Sequence, residues 1–71
     1  MMAGDKRVEK EYRRLLKERD RLVDELHDLK KRYENGEVDE ETYQRSRYDL
    51  ERRIVEVMDR LTQLKFLLGA R

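Results

Sequence analysis

Two stripes of residues recur along this chain at alternating steps of four and three, and that pattern limits its fold more than any other feature. The first stripe is Val8, Tyr12, Leu15, Arg19, Leu22, Leu26, Leu29 and Tyr33. The second is Tyr43, Arg47, Leu50, Ile54, Val57, Leu61, Leu64 and Leu68. Such a heptad pattern puts every member on one face of a helix, whereas the two-residue period of a strand would scatter them. Only Arg19 and Arg47 interrupt the apolar character. There is no Pro, and the three Gly are Gly4, Gly36 and Gly69. The breaker-free stretches between them predict two helices of about 30 residues, each about 45 Å long. Their expected ranges are 5–34 and 39–68, joined by a turn over 35–38.

The segment "YENGEVDEETY", residues 33–43, carries a stop and a start. Gly36 can take the left-handed conformation that ends a helix, because it has no Cβ to clash. Asp39 is a good N-cap, and Glu40 and Glu41 place negative charge at the positive end of the next helix dipole. Val38 and Tyr43 have the spacing of a hydrophobic staple. These signals favour an antiparallel αα-hairpin over one continuous helix about 90 Å long.

Folding the stripes back on each other sets Tyr33 near Tyr43, Leu26 near Leu50, Leu22 near Ile54 and Leu15 near Leu61. On one flank of that seam, Glu18 and Glu25 stand at the levels of Arg60 and Arg53, which predicts cross-helix ion pairs. The other flank is apolar. It carries Leu16 and Val23 from the first helix and Met58 from the second, continued around the second helix by Tyr48, Val55, Thr62 and Phe66. A hairpin has no internal use for a second apolar side, so these seven residues are the candidate dimer interface. Two hairpins joined there form a four-helix bundle, all-α and coiled-coil in type.

Size points the same way. The 71 residues make one domain, 1–71, and a domain so small buries a modest core unless something reinforces it. No Cys is present for disulfides or thiolate metal sites, and a single His makes a zinc site a poor prospect. Charged residues make up 49% of the chain, a share that would suit disorder were the apolar residues not so regularly placed. The 18 basic and 17 acidic side chains nearly cancel, which argues against a protein that coats polyanions. No apolar run approaches the ~20 residues needed to span a bilayer, and "MMAGDKRVEK" lacks the apolar core of a signal peptide. The expected compartment is the cytoplasm.

Residues 29–50, "LKKRYENGEVDEETYQRSRYDL", resemble the short oligomerisation hairpin called SHOCT. That motif places Leu and an aromatic or apolar residue before a Gly, then an apolar residue, an acidic run, an aromatic, a basic residue and Leu. Here Leu29, Tyr33, Gly36, Val38, Glu40, Glu41, Tyr43, Arg47 and Leu50 fill those places, over about a third of the chain. The resemblance implies a role in oligomerisation.

Signatures of catalysis are missing from the sequence: it has no Gly-rich phosphate loop, no HExxH and no EF-hand pattern. His27 falls on an outer helical face beside Asp24, Asp28 and Lys31 and reads as a surface residue. The expectation is a non-enzymatic protein without cofactor or metal. One charged feature stands out. Arg7, Lys10, Arg14, Lys17 and Arg21 recur at steps of three and four on the outside of the first helix, a candidate contact for phosphates or an anionic membrane. The expected role is an oligomerisation or adaptor module, a homodimer whose outer faces meet another, unidentified protein. The alternatives are a nucleic-acid-binding bundle of the Rop type and a membrane-associated assembly subunit.

Overall fold

A chain of alternating charge and leucine with one glycine near its middle has little choice but to reverse there. The computed structural model describes residues 3–69, with side chains from Lys6 onward; residues 1, 2, 70 and 71 of the expected domain lie outside the described residues. Two helices account for the fold: α1 (Ala3–Glu34) and α2 (Glu40–Gly69). Their bounds fall within two residues of the expected ones, the usual uncertainty of a helix end.

The reversal is a Schellman motif. Gly36 has φ of 77°, in the left-handed region. The Glu37 N–H donates to the Arg32 carbonyl at 2.8 Å, and the Gly36 N–H donates to the Tyr33 carbonyl at 3.0 Å. These two bonds satisfy carbonyls that the end of α1 would otherwise leave unpaired. Three residues later the cap of α2 forms. Asp39 Oδ1 accepts the Thr42 N–H at 2.9 Å, and the Asp39 carbonyl accepts the Tyr43 N–H at 2.9 Å. Hydrogen bonding from the Thr42 side chain, then from its N–H, holds the Asp39 carboxyl below its ordinary pKa. Val38, just before the cap, is half-buried.

The helices then pack antiparallel in the expected register. The Tyr33 and Tyr43 rings stack above the turn, and Leu15 and Leu61 share a core cluster with Leu64. Val8, Tyr12, Leu16 and Val57 close around that cluster, and Leu22 is fully buried nearer the middle. Burial is thin elsewhere. Leu26, Leu29, Leu50 and Ile54 are only half-buried, Arg47 is exposed, and Leu68 at the open end is 39% exposed. A pair of helices has one seam and nothing behind it, so many seam residues away from Leu22 and the Leu15 cluster keep one side in water. The molecule is a rod of 53 × 16 × 14 Å with a radius of gyration of 16.0 Å, against about 11 Å for a compact domain of its length.

The expected cross-helix pairs do not form. Every ion pair among the described residues joins residues of one helix. Arg21 takes both Glu18 and Glu25, leaving neither for Arg60 or Arg53. Arg60 bends away to donate to Gln63 Oε1 at 3.3 Å. A partner three or four residues along the same helix lies within easy reach, and holding it costs less side-chain entropy than spanning the seam. The opposing charge is still felt across the seam. Glu11 and Glu18 have lowered pKa values, first through hydrogen bonds from Arg14 and Arg21, and least through Arg60 and Arg53 respectively.

Candidate interaction surface

The exposed apolar side chains of this rod are concentrated on one helix. Among the described residues, the large hydrophobic ones left open are Tyr48, Val55, Met58, Phe66, Leu67 and Leu68, all on α2. Of the seven residues expected to form an interface, Tyr48, Val55, Met58 and Phe66 are 49–69% exposed. Thr62 is exposed beside them, and Leu16 and Val23 on α1 are half-buried. The heptad explains the arrangement. Met58 follows the seam residue Val57 on the apolar flank, and Val55 and Tyr48 lie one step further around the helix. The Thr62 hydroxyl donates to the Met58 carbonyl at 3.0 Å, so its polar group is satisfied along the helix and makes no demand on the flank.

Two shallow grooves run along this flank. One, towards the open end, lies between Leu16 and Tyr12 of α1 and Met58 and Thr62 of α2, and Arg19 and Lys65 also line it. The other lies near the turn, between Leu26, His27 and Lys30 of α1 and Tyr43 and Arg47 of α2. The two arginines that break the seam therefore each line one of these grooves. Arg19 donates to Asp20 Oδ1 at 3.1 Å, and its side chain is 37% exposed. Arg47 Nε donates to Glu51 at 3.0 Å, and this bond raises the guanidinium pKa. Both pairs are wet and lie along one helix, so neither arginine carries a buried, uncompensated charge.

The basic stripe of α1 is partly neutralised. Arg14 donates two hydrogen bonds to the Glu11 carboxylate, at 3.1 and 2.9 Å, and Arg21 is held by Glu18 and Glu25. Those bonds raise the pKa of both arginines. Arg13, beside the stripe, pairs with Glu9 at 3.4 Å. Arg7 is exposed. Lys10 and Lys17 make no ion pair among the described residues and share a surface depression with Arg13 and Arg14.

Leu67 was not among the expected interface residues, yet it is 65% exposed. It lies on the charged flank of α2 and not on the apolar one. The signal was the run Phe66-Leu67-Leu68: three consecutive residues of a helix point in three directions, so one of them must leave both the seam and the flank. His27 is exposed at the rim of the groove near the turn. Among the described residues no group of His, Asp and Glu is placed to hold a metal ion, and no buried side-chain polar atom lacks a hydrogen-bond partner. No described helix is long and apolar enough to cross a membrane.

Compared with known protein families, curated proteins and solved structures, the chain matches none.

Proposed function

We propose that this protein is a non-enzymatic oligomerisation and adaptor module, a helical hairpin that pairs with a second copy through the apolar flank of α2. The observation that carries the reading is the surface imbalance. A compact protein of this mass exposes about 4,800 Å². The chain exposes 5997 Å², with its large open apolar residues gathered on one helix. The excess, about 1,200 Å², is more than the roughly 800 Å² that each partner contributes to a standard interface. The SHOCT-like stretch over residues 29–50 supports the same direction. In a bundle the outer face of α1 stays free for a further protein.

Phosphate binding by the basic stripe has weaker support. It would require Arg14 and Arg21 to leave carboxylates that already hold them, at a loss the new contact must exceed.

Light scattering during gel filtration tests the proposal. The expected mass is twice the 8.8 kDa of the chain. Replacing Leu16 and Met58 together by Glu sets like charges into the contact and yields monomer or unfolded chain. A wild-type protein that is monomeric, fully helical and stable overturns it.

A further inference from the structure

Resting on the self-association just proposed, we infer that the two-fold axis of the dimer crosses the rod, so that α2 packs antiparallel on the partner's α2, with the two turns at opposite ends. The inference comes from the order of residues along the flank.

Two hairpins placed flank to flank can be related in two ways. If the axis runs along the rod, α1 faces the partner's α2 and both turns lie at one end. If the axis crosses the rod, each helix faces its own copy, running the other way. The crossing axis needs a palindrome about one level on both helices, and the chain supplies it. On α2, Tyr48 and Phe66 lie at equal distances on either side of Val57, so each aromatic ring meets the partner's other one. Met58, close to the same centre, meets the partner's Met58. Glu51 and Lys65 lie on the same side of α2 at equal distances from Met58, so they face each other across the axis as opposite charges.

On α1 the centre falls between Leu16 and Val23, which then face each other's copies. Glu9 and Lys30, one heptad further out on either side, meet as opposite charges. The register of the hairpin ties the two centres together. With Leu15 packed beside Leu61 in the core cluster, the midpoint of Leu16 and Val23 lies at the level of Val57. A single axis therefore serves both helices. The axis along the rod does worse: it sets Val23 against the partner's Glu51, leaves Tyr48 and Phe66 at different levels, and pairs the rich apolar face of α2 with the poorer one of α1. Apolar matching at the centre, with aromatic and charged pairs toward the rim, is how a self-complementary interface gains both area and orientation.

The chain has no cysteine, so a nitroxide on Glu37→Cys, an exposed turn position, reports one distance per dimer. Electron–electron dipolar spectroscopy is the measurement, with the mass of the labelled protein checked by light scattering. The crossing axis places the labels about 55 Å apart, twice the helical rise from the centre to the turn. A dimeric mass with labels about 20 Å apart, roughly two helix diameters, overturns the arrangement and leaves the self-association standing. A monomeric mass without dipolar coupling overturns both.

Discussion

The rings of Tyr33 and Tyr43 stack with centroids 4.2 Å apart and planes 9° from parallel, one turn of helix above the reversal. The Tyr33 carbonyl also accepts the Gly36 N–H, and the Tyr43 N–H makes the first backbone bond of α2. The stack thus clamps the last turn of α1 to the first turn of α2.

Tyr43→Ala removes the clamp. The aromatic pair contributes about 1 kcal/mol beyond the area it buries, and the lost area raises the total to about 2–3 kcal/mol. The effect is local. Amide hydrogen exchange should accelerate in the last turn of α1 and the first turn of α2, while the amides around Leu22 keep their protection. Uniform acceleration along the rod would show that the stack does not act as a clamp.

Gly36 tests strain separated from crowding. A Cβ built there meets nothing within 4 Å, so any cost comes from the positive φ alone. Gly36→Asn should be mild, because Asn tolerates the left-handed region. Gly36→Val should cost about 2 kcal/mol or more, because a β-branched residue resists it. Thermal melts of the two variants check the order. If the weakened turn lets the helices straighten and exchange halves between copies, small-angle scattering of Gly36→Val will show a longer particle. Equal melts for Val and Asn would contradict the left-handed turn.

Acid should weaken the hairpin. Asp39, Glu11 and Glu18 all have pKa values below their ordinary ones, owing first to hydrogen bonds from Thr42, Arg14 and Arg21 respectively. A carboxyl whose pKa is lowered by folding binds protons more readily in the unfolded chain. Its contribution is therefore complete above the unfolded pKa, about 4, and disappears as pH falls through the folded value. Urea midpoints should hold steady from pH 7 to about 5 and then decline. Asp39 is exposed and Glu11 and Glu18 are only half-buried, so the decline should be modest and should shrink in high salt. Asp39→Asn keeps a capping oxygen without the titration and should flatten part of the slope.

Arg19 interrupts the seam yet among the described residues bonds only to Asp20, its neighbour in sequence, and remains partly in water. Such a pair contributes little to stability, while Leu at this position would extend the seam between Leu15 and Leu22. Arg19→Leu should raise Tm. It should also broaden the distribution of assemblies seen by sedimentation, since polar breaks in a heptad commonly restrict register and subunit number. A large drop in Tm would mean that Arg19 holds a network with the partner copy.

The sequence by itself determined two helices, their reversal and their register. Those depend on local chemistry: a heptad period, a glycine where φ must be positive, an aspartate where a helix must begin. The apolar flank was legible too, because heptad position follows directly from residue number. Only the tertiary structure decided which charges pair. Glu18 and Glu25 had complementary partners across the seam in Arg60 and Arg53, but Arg21 on their own helix lay nearer. The structure also decided how unevenly the seam is buried. Leu22 is sealed while Leu68, which also belongs to the seam stripe, is 39% exposed. Heptad position sets the direction in which a side chain points, but burial depends on what lies above, below and across from it.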